Sequence, residues 1–264
     1  MLPLLQQLLV SSEMSIAIIT GASSGIGEEF ARRIDSYGLE SIWIIARRKD
    51  RLEGLASQLK TPTRIFSIDL TDRSQLNSFI SVIDEEKPPI QYLINCAGFG
   101  KFGMTWELSQ ETTRSMIDLN VTALVSVTSA CVPYMQDGGH IIELDSLSAY
   151  IPMYNLNVYA STKAFVKHFC TGLRKELEPR KISVTEVSPG WVRTDFIDIS
   201  VSENKVPQRV FRSTVSKEDV VDKALKAAVR GKARSICGFK NRATASLATH
   251  FPNFGANTWK GFFR

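Results

Sequence analysis

No stretch of this chain approaches about 18 consecutive apolar residues, so an unbroken membrane-spanning helix is excluded on length. Cysteine is scarce. Cys96, Cys131, Cys170 and Cys237 stand at wide, irregular gaps with no C-x-x-C pair. The three histidines, His140, His168 and His250, lack zinc-ligand spacing, so neither a metal site nor a disulfide framework is expected. Free thiols fit a reducing cytoplasm, which is the expected location. Charge of one sign is also lacking: 32 Lys and Arg against 27 Asp and Glu leave +5. A dedicated nucleic-acid binder shows a heavier basic excess or a recognisable motif, and neither occurs, so no nucleic-acid partner is expected. Residues 1–13 lack the basic segment and the cleavage site of a secretory leader and read as an extension without an assigned role.

What is present is apolar bulk, 44% of 264 residues, enough for one sizeable core. Short apolar runs alternate with helix-period segments. Residues 15–20, 41–46, 64–68, 90–95, 140–144, 182–187 and 235–238 read as strands. Residues 25–37, 50–59, 74–83, 111–134 (broken near Asn120), 157–177 and 217–230 read as helices. This alternation predicts an α/β chain: one doubly wound, Rossmann-type domain over 14–238, with a parallel sheet of about seven strands flanked by helices on both faces. No repeat or Pro/Gly linker divides it.

Between the first strand and first helix lies TGASSGIG, with Gly21, Gly25 and Gly27 spaced G-x-x-x-G-x-G. Glycine there permits a tight turn and close approach of a pyrophosphate to free N–H groups at the helix start. Gly21, Ser23, Ser24, Gly25, Ile26 and Gly27 are therefore candidate cofactor residues. After the second strand come Arg47, Arg48 and Lys49. A carboxylate there would favour a free ribose, whereas guanidinium clasps a 2′-phosphate. Arg47 and Arg48 point to NADP(H) over NAD(H).

Tyr159 and Lys163, four apart on a predicted helix, share one helix face. An ammonium close to a phenol stabilises phenolate and makes tyrosine a usable acid or base. Ser146 ends the fifth predicted strand, at the edge of a parallel sheet where ligands bind. TGASSGIG, N-C-A-G at 95–98, Asn120, Ser146, Tyr159-x-x-x-Lys163 and Pro189-Gly190 follow the order of the short-chain dehydrogenase/reductase family, which the chain resembles over about 15–238.

The resemblance implies roles. Tyr159 would be the general acid and base; Lys163 would lower its pKa and hold the nicotinamide ribose; Ser146 would orient the substrate oxygen; Asn120 would hold a relay water. Asp69 and Leu70 would meet the adenine, while Asn95, Ala97 and Gly98 would line the cofactor floor. Pro189 and Gly190 form the following turn, and Val192 and Thr194 would contact the carboxamide. It also implies a mobile substrate loop over about 193–216 and a homodimer or homotetramer. That assembly would bury the helix after Asn120 and the outer face of the Tyr159 helix, with Phe165, Val166, Phe169, Cys170 and Leu173.

Two departures stand out. Cys96 replaces the second Asn of N-N-A-G, and Glu143 and Asp145 replace the polar residues of Asn-x-Ser-Ser, where a local salt bridge is the expected reading. From Lys223 onward there is no Asp or Glu, and residues 239–264 form a basic, aromatic tail. Such a tail packs on its own domain or a partner subunit, or lies weakly on an anionic membrane. The expected activity is NADP(H)-dependent interconversion of a ketone and a secondary alcohol on a hydrophobic, steroid-like or lipid-like substrate, of the hydroxysteroid dehydrogenase and ketoacyl reductase branch. The alternatives are a 3-oxoacyl-(acyl carrier protein) reductase and a non-catalytic NADP(H)-binding sensor or scaffold.

Overall fold

The computed structural model describes residues 15–201, 206–211 and 213–263. The extension at 1–13, and positions 202–205 and 212 of the expected substrate loop, lie outside the described residues. Seven strands form one parallel sheet: β1 (Ile16–Thr20), β2 (Ser41–Ala46), β3 (Thr63–Ser67), β4 (Ile90–Asn95), β5 (Met135–Leu144), β6 (Ser183–Val187) and β9 (Arg234–Ser235). Their order is β3-β2-β1-β4-β5-β6-β9, every pairing parallel. Two-residue strands β7 (Trp191–Val192) and β8 (Thr214–Val215) pair separately. The chain winds outward from β1 in one direction and from β4 in the other. A crevice therefore opens beyond the carboxyl ends of β1 and β4, where ligands bind in this class of sheet.

Alternation along each strand sends successive side chains to opposite faces. Ile16, Ile18, Trp43, Ile45 and Leu93 enter one core layer; Ala17, Ile19, Ile42, Ile44 and Ile94 enter the other. Helices cover both. α1 (Gly25–Ile34) carries Glu28 in its first turn and Arg32 and Arg33 in its last, complementing the helix dipole. Its pairs Glu28–Arg32 and Glu29–Arg33, each 2.8 Å, are i,i+4 contacts. α2 (Lys49–Ala56) follows β2, and α3 (Arg73–Glu86) starts on Asp72, whose carboxylate accepts from the Ser74 and Gln75 N–H groups.

Residues 110–134 are not two helices with a break. α4 (Gln110–Ile117) runs into a π-helical turn, Asp118–Ala123, and on into α5 (Leu124–Cys131). One extra residue in that turn re-aims Asn120 inward without interrupting the helix. Among the described residues this is the helical run long and apolar enough to cross a membrane, with mean hydropathy 1.5. Here it is a core helix: Asn120, Ala123, Val127 and Cys131 are buried, and Thr128 donates to Glu143 on β5. The fifth strand begins five residues earlier than expected. Its Q-D-G-G segment looks like a turn but is a register irregularity, with Gly138 at φ +79°.

The long helix α6 (Asn157–Glu176) carries the tyrosine and lysine, α7 (Asp195–Val201) follows the Pro-Gly turn, and α8 (Lys217–Val229) packs on α1. Residues 239–261 form two further helices, α9 (Phe239–His250) and α10 (Pro252–Gly261). A third apolar cluster, containing Phe102, Tyr150, Met153, Tyr159 and Trp259, joins them to the mouth of the crevice.

Candidate active site

The crevice is a cavity of about 1110 Å³. At one end the glycine turn forms its floor. Gly21 has φ +69°, and a Cβ there would fall 2.7 Å from the Ala97 nitrogen. A Cβ on Gly27 would fall 2.3 Å from the Gly21 carbonyl oxygen. These glycines let the turn, the helix start and the loop after β4 lie against one another. Ser24 caps α1 without a side-chain hydrogen bond, so the first-turn N–H groups have no side-chain partner at that cap. Thr20 secures the turn, its hydroxyl accepting from the Cys96 and Ala97 N–H groups at 3.1 and 3.2 Å.

The basic turn after β2 divides its work. Arg47 is largely exposed and pairs with Asp69 at 3.6 Å; burial raises that carboxyl's pKa, but hydrogen bonds from Thr71 and the Arg47 charge outweigh it and leave it lowered. Arg48 reaches across the glycine turn, donating to Ser24 at 2.7 Å and Ser23 at 3.1 Å, and pairs with Asp195 at 3.4 Å. Arg51, not anticipated, meets the same Asp195 at 3.1 Å. Cavity, glycine cradle and two guanidinium groups suit a phosphate-bearing dinucleotide.

At the other end stand Ser146, Tyr159 and Lys163. Tyr159 and Lys163 are 6% and 4% exposed on α6. Lys163 Nζ donates to the Leu144 carbonyl at 2.6 Å and lies 5.9 Å from the Tyr159 ring centre. Both Ser146 and Tyr159 line the cavity, with the Ser146 hydroxyl accepting from the Ser148 N–H at 3.1 Å. Burial pushes the Tyr159 phenol well up, the Ser146 hydroxyl works the other way, and the Asp145 carboxyl adds to the rise. Burial lowers Lys163, opposed first by Asp145. Burial of the phenol therefore opposes the lowering expected from Lys163.

The predicted glycine-turn residues, Arg47, Arg48, Asp69, Leu70, Ala97, Gly98, Ser146, Tyr159, Lys163, Pro189, Gly190, Val192 and Thr194 all line this one cavity. Two predicted residues do not. Asn95 lies beneath the floor, donating to Thr128 at 2.9 Å and Glu143 at 3.1 Å, because it ends a central strand with its side chain turned into the core. Asn120 is fully buried and holds the loop after β4: its Oδ1 accepts from the Phe99 N–H at 3.0 Å, and its Nδ2 donates to the Phe99 carbonyl at 2.8 Å and Thr162 at 3.0 Å.

Gly100 and Asn241 had no sequence signal, whereas the aromatic tail is the signal for the residues at the mouth. Gly100 lies against the tyrosine ring, where a Cβ would fall 2.8 Å from Tyr159 Cδ2. Asn241 fills the space beside Gly190 and donates to the Cys237 carbonyl at 2.7 Å. Phe254, Thr258, Trp259 and Phe262 of the C-terminal segment close the mouth, with Trp259 Nε1 donating to the Tyr154 carbonyl at 2.8 Å. Of the α6 residues expected at an interface, Val166, Cys170 and Leu173 belong to this chain's own core, and Phe165 is 43% exposed. The reason is the helix period: one side of α6 packs on the sheet.

The sequence pattern of the short chain dehydrogenase family matches residues 15–205. A serine 3-dehydrogenase of Agrobacterium fabrum is 31% identical over 190 residues, 71% of this chain and 76% of the relative. A short-chain dehydrogenase from Sphingobium yanoikuyae in complex with NADPH superimposes with TM-score 0.77 and 29% identity, covering 91% of this chain and 95% of the other. The bulky-bulky ketone specific alcohol dehydrogenase from Comamonas testosteroni gives TM-score 0.74 and 28% identity, over 91% and 94%. The chain belongs to the short chain dehydrogenase family and is an oxidoreductase.

Proposed function

We propose that this short chain dehydrogenase interconverts a hydrophobic ketone and its secondary alcohol with NADP(H). The observation that carries the reading is the convergence of Ser146, Tyr159 and Lys163 in the cavity whose floor is the glycine turn. The nicotinamide, when bound, supplies or accepts the hydride. Gly21, Gly25 and Gly27 admit the pyrophosphate, and Arg47 and Arg48 hold the 2′-phosphate. Asp69 and Leu70 border the adenine end, and Val192 and Thr194 border the nicotinamide end.

Ser146 orients the substrate oxygen. Tyr159 gives that oxygen its proton during reduction and removes it during oxidation. Lys163, fixed on the Leu144 carbonyl, holds positive charge beside the phenol and binds the ribose. Asn120 holds the Phe99 loop that backs the site, and a relay water would sit beside its remaining acceptor sites. The substrate end of the cavity is apolar, with Ile151, Met153, Leu156, Phe196, Phe254 and Trp259. This favours a bulky lipophilic ketone over the small polar substrate named for the serine dehydrogenase relative. A second copy of the chain would cover the exposed Phe165 and Ile117, giving a homodimer or homotetramer.

The test is a screen of bulky ketones, steroid ketones, 3-oxoacyl thioesters and free serine, each with NADPH and NADH. Preferred turnover of a lipophilic ketone with NADPH is expected. Tyr159→Phe should retain NADPH binding while losing about 10²-fold or more in turnover. Ordinary turnover by that variant, or binding without turnover of any substrate by the wild type, rejects the reading.

A further inference from the structure

Asp195 has no part in the proposed chemistry, yet its carboxylate stands in the wall of the cavity that takes the cofactor. It is the first residue of α7 and directly follows Thr194. Thr194 lies against the glycine turn, where a Cβ added to Gly25 would fall 3.2 Å from its methyl carbon. The start of α7 is therefore held close to the phosphate-binding end. A carboxylate in a site suited to phosphates repels the ligand unless cations take up its charge. Here two do. Asp195 Oδ2 meets Arg48 Nη1 at 3.4 Å and Arg51 Nη1 at 3.1 Å.

Arg48 is held from its other edge. Its Nη2 donates to Ser24 Oγ at 2.7 Å and Ser23 Oγ at 3.1 Å, and its Nε donates to Ser23 Oγ at 3.3 Å. Nη1 is thus the corner of the guanidinium turned to Asp195. Arg51 comes to the same oxygen from the first turn of α2.

We propose that Asp195 is a specificity-determining residue that sets the strength of the NADP(H) preference. With the site empty its carboxylate stands on Arg48 in the role of the 2′-phosphate, and Arg51 is the cation that keeps it when the phosphate takes Arg48. This rests on the NADP(H) reading of the basic turn and not on the choice of ketone. The contacts rank as the exchange requires. The serines fix where Arg48 points, through its shortest bond. A good charge-assisted N–H···O bond is about 2.7–2.9 Å, so the 3.4 Å contact to Asp195 is a loose one. A phosphate brings more charge than one carboxylate and three acceptor oxygens, and it displaces that contact first. The Arg51 contact is shorter and survives. Arg47 has its own carboxylate, Asp69 at 3.6 Å, and stands outside this exchange. NADH carries no 2′-phosphate and leaves Asp195 in place, so the carboxylate weakens binding of the phosphorylated cofactor alone.

The side chains of Arg48, Arg51 and Asp195 are each about half exposed, so water softens the competition and the effect is small but measurable. The same exposure makes substitutions at Arg51 and Asp195 compatible with folding, which thermal unfolding checks.

The experiment compares two nucleotides that differ only in the 2′-phosphate, adenosine 2′,5′-bisphosphate and adenosine 5′-monophosphate. Binding to the full chain is measured by calorimetry in wild type, Asp195→Asn, Arg51→Ala and the double variant. Asp195→Asn should bind the bisphosphate about two- to fivefold more tightly, with a smaller change for the monophosphate. Arg51→Ala should weaken the bisphosphate by a similar factor, because Asp195 then has Arg48 alone. In the Asp195→Asn background Arg51→Ala should do nothing. Weaker or unchanged bisphosphate binding by Asp195→Asn overturns the proposal. So does an equal gain for both nucleotides, which is a general charge effect. An Arg51→Ala loss that persists in the Asp195→Asn background also overturns it, since Arg51 would then hold the phosphate itself. A wild type that does not prefer the bisphosphate removes the NADP(H) reading of the turn, and the proposal with it. These titrations need no substrate, so failure of the ketone reading leaves them decisive.

Discussion

Replacing Glu143 with glutamine should change not only the stability of this protein but the sign of the change with pH. Glu143 is fully buried on the central strand β5. Its Oε1 accepts from Asn95 at 3.1 Å and Thr128 at 3.0 Å, and its Oε2 has no partner. Burial raises its pKa to about 8, with those hydrogen bonds and the Lys163 charge pulling the other way. The folded protein therefore holds the neutral acid at pH 7, while the unfolded chain, with a carboxyl near 4.3, is ionised. A group with a raised folded pKa contributes stability fully present below the unfolded value and lost as pH rises through the folded one. At 1.36 kcal/mol per unit the whole window is worth roughly 5 kcal/mol, of which about 3–4 is gone by pH 7. Glutamine does not titrate. It can accept the same two hydrogen bonds, but its amide places two unpartnered N–H donors where the neutral acid has one O–H, at about 1–3 kcal/mol.

Glu143→Gln should thus be less stable than wild type near pH 4.5 and more stable, by about 1–2 kcal/mol, at pH 7, and the gap should widen toward pH 8. Urea unfolding followed at half-unit steps of pH gives both curves, and the other titrating groups cancel in their difference. Parallel curves would mean that Glu143 is ionised in the fold, and the account of the buried carboxyls would fall with it.

His140 should act in the opposite sense. Burial lowers its pKa to about 4, so its contribution is present above 6.5 and is lost as pH falls toward 4. His140→Gln should remove about 2 kcal/mol of the wild-type acid sensitivity by pH 5, read by the same urea titration. Gly27→Ala places a Cβ 2.3 Å from the Gly21 oxygen. It should cost about 1–3 kcal/mol in thermal or urea stability and abolish cofactor binding measured by fluorescence; tight binding would show that the turn can open. Arg47→Ala and Arg48→Ala should each reduce the NADPH preference in kcat/KM by about tenfold, since a charge-assisted bond is worth roughly 1.5–3 kcal/mol. NADH kinetics should stay unchanged; equal loss with both cofactors would show that these arginines only brace the loop.

The parts of the fold readable in the sequence are those where local pattern and tertiary demand agree. S-I-A-I-I-T and S-I-W-I-I-A are apolar on both strand faces because both faces are covered, and such runs ending in glycine or basic turns are hard to mistake. Q-D-G-G at 136–139 hides the start of β5, because its glycines serve an irregular register rather than a hairpin. The π-helical turn at Asp118–Ala123 is legible only as a break near Asn120: Asp, Asn, Val and Thr are weak helix formers, and packing of Asn120 against the Phe99 loop makes of that weakness a wider turn rather than an interruption. The C-terminal helices lack acidic residues and have a weak apolar stripe, so their place at the cavity mouth rests on contacts with Tyr154 and Arg209, more than fifty residues away in the case of Phe262.

The site divides along the same line. Ser146, Tyr159 and Lys163 are legible because spacing along one strand end and one helix fixes their relation. Asn95 shows the limit. Position in a motif put it at the cofactor floor, but as the last residue of β4 its side chain follows the strand alternation, and Thr128 and Glu143 wait for it on the inner side. Asp145 shows the converse. By sequence it is merely an odd residue before the serine, for which a salt bridge is the economical reading. Which of its oxygens finds a donor is decided by Ser188, brought from beyond the neighbouring strand, whose hydroxyl donates to Oδ2 and leaves Oδ1 without a partner. A motif states which residues share a function. Hydrogen-bond accounting around them states which protonation states the function can use, and that accounting exists only once the strands are side by side.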